Sequence, residues 1–342
     1  MHILKCAAGA ATALLAAAAF GQPVPAYTLE LVQGLPGKPA GYITAFNDNG
    51  QATGSLTVVD SQGSTLSHAA RWDFTTGTVT DLSTADNTTS GGLGINNAGQ
   101  VVGYTRVTGG YSRATVWTGT TPLDIGIEGA AYGINDAGQI GGTTSASRAF
   151  VWNDGTTTDL GTLGGNSSNG RAINSAGQVT GNAQDADGNL HIVRWTGTTI
   201  EDLTPQLASS QTLTYLGLGI NASGHVAGFA AGPASIPMRA ILATDGAAAI
   251  LPIPKGFGSY AYGLNDAGVV VGSAGRSPAS GGTGLVWVNG RAITLNSLLA
   301  PGQLPIGGNV VNGVAIGNNG WISCLVVLSP GQAAPCLMKP AR

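Results

Sequence analysis

The chain has 342 residues, of which 9% are charged, and a formal charge of −3. Three Glu and four Lys leave little from which to build long solvent-exposed helices, and without a basic run no electrostatic grip on nucleic acid is expected. Gly (55) and Pro (16) are abundant, yet 43% hydrophobic residues suffice for a core, which excludes wholesale disorder.

Residues 1–21 read as a secretory signal. Lys5 supplies the positive start and Cys6 to Phe20 an apolar, Ala-rich run, with cleavage after Gly21 or as late as Ala26. The run is short for a membrane helix. Cys6 precedes it instead of following it, which argues against a lipoprotein anchor. No later segment reads as a membrane span. The expected location is secreted or periplasmic. Cleavage removes Cys6 and leaves Cys324 and Cys336, which in an oxidising compartment suggest one disulfide. Two buried free thiols are the alternative.

From residue 27 to 342 a single domain is expected, because one pattern recurs seven times. Its centre is apolar-Asn-x-x-Gly-x-apolar-x-Gly, with Asn at 47, 96, 135, 174, 221 and 265; the seventh copy is degenerate, with Gly317 in the Asn place and Cys324 where the others close on Gly. Successive copies are 49, 39, 39, 47, 44 and 52 residues apart. Asn-x-x-Gly is hairpin-turn chemistry: the Asn side chain bonds backbone N–H groups ahead of it, and Gly takes the positive φ of a bulged turn. Further on in most copies comes a strand ending in Trp (Trp72, Trp117, Trp152, Trp195, Trp287), often opened by Arg or His (His68, Arg113, Arg148, His191, Arg239). An acidic-apolar pair then opens a fourth segment: Asp81-Leu82, Asp124-Ile125, Asp159-Leu160 and Asp202-Leu203. Four short strands, here named A to D, in a period of about 40–50 residues are the mark of a propeller blade. The predicted fold is therefore all-β: a seven-bladed β-propeller of four-stranded antiparallel blades.

The seventh copy stops at Leu337-Met338 without a fourth strand, while Tyr27-Thr28-Leu29-Glu30-Leu31 is an unclaimed strand at the start. The N-terminal strand is expected to close the last blade and remove exposed edges. A Gly ends strand B in six copies, opposite a larger strand-C residue such as Phe150 opposite Gly142; in copy seven both positions are Cys, which makes a 324–336 disulfide geometrically reasonable.

Gly133-Ile134-Asn135-Asp136-Ala137-Gly138-Gln139-Ile140-Gly141-Gly142, Arg148-Ala149-Phe150-Val151-Trp152 and Asp159-Leu160-Gly161-Thr162-Leu163-Gly164-Gly165 resemble the HAF-repeat family of bacterial extracellular proteins. The motif that names the family begins with His; this copy has Arg148, and His68-Ala69 keeps the first two letters. The resemblance spans nearly the whole mature chain. It implies export and repeats, and no particular reaction.

Function is expected on the side bearing the B–C and D–A connections, whose lengths vary most, or at the mouth of the central channel. Candidate ligand-binding residues there are Tyr104, Arg106, Tyr111, Tyr215 and Tyr260, the four tyrosines being suited to stacking on sugar, with packing against a neighbouring blade as their competing role. Asp185-Ala186-Asp187-Gly188-Asn189 resembles part of a Ca²⁺ loop, but a plain hairpin turn explains it better. His68, His191 and His225 have no zinc spacing, and no Walker, dinucleotide or Gly-x-Ser-x-Gly motif occurs; no metal, cofactor or catalytic residue is predicted. The leading expectation is a monomeric, non-enzymatic binding module for a glycan or other cell-surface component. The alternatives are a polysaccharide-active lyase or hydrolase with its site at the channel mouth, or a structural extracellular protein.

Overall fold

The computed structural model describes residues 26–341 apart from 84–87, 108, 206–212, 233–236, 246, 254–256 and 276–281. The expected signal, residues 1–21, lies outside the described residues. The strands in chain order are β1 (Tyr27–Leu31), β2 (Ala40–Phe46), β3 (Gln51–Val59), β4 (Thr65–Asp73), β5 (Thr78–Asp81), β6 (Thr88–Ile95), β7 (Val101–Val107), β8 (Arg113–Thr118) and β9 (Thr121–Ile134). There follow β10 (Ile140–Thr144), β11 (Ala149–Asn153), β12 (Thr156–Asp159), β13 (Gly164–Ile173), β14 (Val179–Asp185), β15 (Leu190–Thr196), β16 (Thr199–Asp202), β17 (Thr214–Ile220) and β18 (Val226–Ala231). The last are β19 (Arg239–Thr244), β20 (Ala247–Ile250), β21 (Gly258–Leu264), β22 (Val270–Gly275), β23 (Thr283–Val288), β24 (Arg291–Thr294), the one-turn helix α1 (Leu295–Leu298), β25 (Asn309–Ile316), β26 (Ile322–Ser329) and β27 (Gln332–Pro340).

Among the described residues these strands form six antiparallel sheets, and the expectation of a seven-bladed β-propeller of four-stranded blades is corrected. Five sheets have four strands and stand as separate blades; the sixth has seven, in the order β12-β11-β10-β9-β8-β7-β6. The cause is local. Ile125 to Asn135 is a connection of ten residues, against fourteen between Leu82 and Asn96. So short a span leaves no room for a loop, and β9 runs extended from one sheet into the next. It pairs with β8 through Thr115↔Asp124 and Arg113↔Glu128, and with β10 through Gly129↔Thr144 and Gly133↔Gly141. The sheets do not join edge to edge into a barrel.

β1 lies antiparallel to β27, with Tyr27 opposite Pro340 and Leu31 opposite Cys336. It completes the sheet β1-β27-β26-β25, a velcro-like blade drawn from both ends of the described chain. Cys324 and Cys336 face each other across β26 and β27 and are disulfide-bonded, with Cα atoms 4.8 Å apart. Lys339 pins the same junction: its Nζ lies 2.6 Å from Glu30 on β1 and 4.7 Å from the Trp321 ring centre.

The core lies between neighbouring sheets. Trp117 packs with Ala69 and Leu82 of the preceding sheet, Trp195 with Ala149 and Leu160, and Trp287 with Ala227, Ala240 and Leu251. All three indoles are fully enclosed. Trp72 donates its indole N–H to the Gln33 carbonyl at 2.8 Å and Trp287 to that of Pro252 at 2.8 Å, so two of the four enclosed tryptophans keep a polar partner as well as a large apolar contact. The recurrent Asp of the fourth strand does two jobs. Asp159 accepts from the Gly161 N–H at 2.7 Å and pairs with Arg148 through two bonds of 2.9 Å. Asp124 does the same with Gly126 and Arg113, and Asp202 with Thr204 and His191.

Candidate functional site

Seven strands are innermost: β2, β6, the end of β9, β13, β17, β21 and β25, each ending at an Asn-x-x-Gly turn or its degenerate copy. Each breaks register with its neighbour at the same place. The pairing skips Thr44, Leu93, Tyr132, Arg171, Leu218, Tyr262 and Val314 in turn. These are β-bulges three residues before the turn Asn. A bulge leaves one residue unpaired and re-aims its side chain, and all seven bulge residues line one chamber of about 250 Å³ on the axis. The bulge also explains the Gly that closes the motif. A Cβ at Gly142 would run into the carbonyl oxygen of Ala130 on β9 and the ring of its cross-strand partner Phe150.

A second axial chamber, of about 260 Å³, lies among the turns themselves. The apolar residue before each turn, Ile95 or Ile134 for example, lines both chambers and so forms a collar between them. Here the recurrent Asn reveals its larger role. Its Oδ1 accepts from the backbone four residues on, as in Asn135 with the Gln139 N–H at 3.0 Å. Its Nδ2 reaches the next turn along: Asn47 to the Asn96 carbonyl at 2.9 Å, Asn96 to Asn135 at 3.2 Å, Asn135 to Asn174 at 3.0 Å and Asn174 to Asn221 at 3.0 Å. Asn221 and Asn265 continue the series to Asn265 and Gly317. Gly317 has no amide to pass on. Between the last turn and the first, among the described residues, one side-chain hydrogen bond reaches across, from Asn318 to Asp48 at 3.4 Å. The carboxylates at this mouth are also occupied by neighbours: Asp136 accepts from Asn97 at 2.8 and 2.9 Å, and Asp266 from Ala222 and Asn318. Among the described residues no three His, Cys, Asp or Glu side chains converge as metal ligands. This mouth is therefore built to hold turns together.

The bulge chamber is different, because one of its polar groups, Arg171, has no hydrogen-bond partner in the fold and another, Tyr262, has only a long one. Leu93, Leu218 and Val314 give it apolar wall. Tyr132, Arg171, Tyr262 and Thr44 give it chemistry. The Arg171 guanidinium sits 4.5 Å over the Tyr132 ring, a cation–π arrangement. Its Nε is enclosed and has no hydrogen-bond partner. The Tyr262 ring stacks on Tyr260, centres 5.9 Å apart and planes 5° from parallel, and its hydroxyl accepts from Ser273 at 3.5 Å. Burial pushes the Tyr262 phenol up, the Ser273 bond opposing, so it stays a neutral donor at ordinary pH.

Of the residues singled out from sequence, two back onto this chamber. Tyr260 is buried and supports Tyr262 from behind, with Phe229 edge-on at 5.1 Å. Tyr104 on β7 is half-buried over Gly91, and burial, with Tyr42 and Tyr132 nearby, pushes its phenol up. Tyr215 is enclosed between sheets among Ile192, Leu203 and Ile241. Arg106 and Tyr111 stand in solvent, Tyr111 at 75% exposure. Asp185 caps a plain turn, accepting from the N–H groups of Asp187 and Asn189. Exposed apolar residues favour the side of the B–C and D–A connections: Tyr42, Val59, Val107, Tyr111, Phe257 and Ile306 lie towards it, and Leu123 does not. The bulge chamber sits on that side of the collar. Tyr132, Arg171 and Tyr262 were not anticipated. Their signal is present in the repeat, since the position three before Asn varies from Thr to Leu, Tyr, Arg and Val while its two successors stay small and apolar.

No family model matches the chain, and no curated protein does. Solved structures do resemble it. The β-propeller domain of the Trilobed protease from Pyrococcus furiosus, described as having an open velcro topology, aligns over 88% of this chain and 93% of its own at 8% identity and a TM-score of 0.57. YCF48 bound to D1 peptide aligns over 94% and 100% at 13% identity and 0.53. Pyrococcus horikoshii acylaminoacyl peptidase aligns over 86% of this chain at 9% identity and 0.53, and the chain spans about half of that enzyme, 52%. At these identities the likeness is one of fold: the chain is a β-propeller, similar in architecture to domains of peptidases and to a propeller that holds a peptide.

Proposed function

We propose that this protein is a non-enzymatic binding module, acting outside the cytoplasm, whose ligand enters the bulge chamber from the long-loop side. One observation carries the reading. Seven bulges deliver seven side chains to one axial space, and Arg171 and Tyr262 among them, unlike the Asn and Asp of the opposite mouth, are left unpaired or only loosely engaged by the fold. Two tyrosine rings beside a cavity suit a sugar, which stacks its C–H face on an aromatic ring and takes hydrogen bonds from phenol and hydroxyl. A chamber near 250 Å³ falls below the roughly 300–1,000 Å³ of a drug-sized ligand, so it accepts a single sugar residue or a chain end. The resemblance of the repeats to HAF-repeat proteins and the reading of residues 1–21 as a signal support a secreted or periplasmic setting and a glycan of the cell envelope as partner.

A glycan array followed by calorimetry on single hits tests this. Saturable binding that Tyr132→Ala abolishes at unchanged melting temperature is the expected result. Binding that survives Tyr132→Ala but is lost in Tyr111→Ala moves the site to the exposed loops and overturns the channel.

A further inference from the structure

Resting on the channel reading, we infer that the bulge chamber selects an acidic sugar, a hexuronate whose carboxylate is received by Arg171. Arg113 and Arg148 are bonded to carboxylates, Arg194 to Glu201 and Asp245, and Arg71 to the Gly99 carbonyl at 3.0 Å. Arg106, Arg239 and Arg291 stand in solvent. Among the described residues Arg171 alone is half-buried and yet has no protein acceptor. Its guanidinium lies over the face of Tyr132, and its Nε–H is enclosed without a partner. Leaving a buried donor unmade is costly, and more so for a charged group. A fold that merely needed a spacer at this bulge has cheaper ones, as Leu93, Leu218 and Val314 show.

The terminal N–H groups of the guanidinium, which no protein acceptor takes, suit a planar anion. A guanidinium offers parallel N–H groups that match a carboxylate in two-point fashion. The other groups at hand define the rest of the ligand. Tyr132 is already covered by the guanidinium on one side, so a sugar ring carrying the carboxylate meets Arg171 edge-on and the second tyrosine, Tyr262, through its hydroxyl, which still has its proton to give because it accepts from Ser273. Thr44 adds a hydroxyl, itself tied to the carbonyls of Thr53 and Gly92, that can accept through its remaining lone pair. Leu93 and Leu218 face the C–H surface. No carboxylate lies within ion-pair reach of Arg171 among the described residues, and the Asp groups of the opposite mouth lie beyond the apolar collar. The chamber is thus positive where the far mouth is negative, and an anion has one side from which to enter.

The test uses the full chain and three probes, D-galacturonate, D-galactose and benzoate, by calorimetry at two salt concentrations. The expected result is saturable binding of galacturonate at least tenfold tighter than galactose, weakening as salt rises. Arg171→Gln should erase that preference by bringing galacturonate binding down to the level of galactose; Arg171→Lys, which keeps the charge and loses the fork, should fall between. Arg239→Gln, an exposed charge outside the chamber, should change nothing. Melting temperature is recorded for each variant, and a loss of galacturonate binding counts only where it stays within a few degrees of the parent; if Arg171→Gln unfolds, the Arg171→Lys ratio of the two sugars decides. Equal binding of acid and neutral sugar, indifferent to Arg171, overturns the acidic selectivity and leaves the channel reading intact. Binding of benzoate as tight as galacturonate shows an anion site without sugar selection and overturns the hexuronate. Binding of none of the three probes overturns the hexuronate and removes the support for a sugar in the channel.

Discussion

A single side chain type, the Asn that opens each turn, does more for this protein than its turn chemistry requires. As a turn residue it needs only its Oδ1. Its Nδ2 is spent on the neighbouring turn, and in the four copies with Gln four residues on, the Gln Oε1 accepts from it too, at 2.8–2.9 Å. Asn135→Ala leaves the Asn174 carbonyl and the Gln139 amide without their partner in a buried place, so a loss of about 1–3 kcal/mol is expected in chemical denaturation; Asn135→Asp, equal in shape, should cost at least as much because a carboxylate replaces the donor. Asp81 gives the second residue-scale expectation. Burial pushes its carboxyl up, and the bonds from Lys38 at 2.7 Å and His68 at 3.1 Å, with the Ser83 N–H, outweigh it, so its pKa ends below the usual range. A depressed pKa means that the folded state gains stability from the ionised form. That gain is present above the unfolded value, near 3.9, and is lost as pH falls through the folded value. Asp81→Asn should therefore lower stability at pH 6–7 and flatten its decline in acid; an unchanged acid limb would contradict the assignment.

The element scale is where sequence and structure part company in an instructive way. The strands were legible because turn chemistry and alternation repeat seven times, and the Trp strand was legible because a large indole recurring at one register needs a neighbouring sheet to cover it. The disulfide was legible from register alone. Two things were not. A connection ten residues long between Ile125 and Asn135 still contains two glycines of positive φ, Gly126 and Gly129, which read as loop; in the structure they are bends within β9, and two expected four-stranded units become one seven-stranded sheet. The bulges were invisible for a different reason: alternation predicts which face a residue takes only while the register holds, and a bulge resets it. Tyr132 and Arg171 follow the wrong parity for that reason. The velcro-like sheet carries its own expectation. Cys324 and Cys336 are 12 residues apart, and a crosslink over about 15 residues contributes about 3 kcal/mol in the loop-closure account. Reduction should lower the melting temperature and raise hydrogen exchange first in β1 and β27; uniform exchange across all sheets would contradict a local role.

At the scale of the molecule, the same seven inner strands produce two unlike ends. At one, Asn amides and Asp carboxylates bind turn to turn and finish each other's hydrogen bonds. At the other, bulges turn a Thr, two Tyr and an Arg inward, and the Arg is left without a hydrogen-bond partner in the fold. The split follows from one residue of register in each strand, and it assigns stability to one mouth and recognition to the other. The interruption at Gly317 marks where the first and last repeats meet, and there the join relies on Asn318, Lys339 and the shared sheet in place of the Asn relay. The most direct measurement is a crystal structure of the full chain soaked with D-galacturonate. The account predicts density for the sugar between Tyr132, Arg171 and Tyr262, with its carboxylate on the guanidinium. A sugar bound instead beside Tyr111, with the axial chamber unchanged, would contradict it.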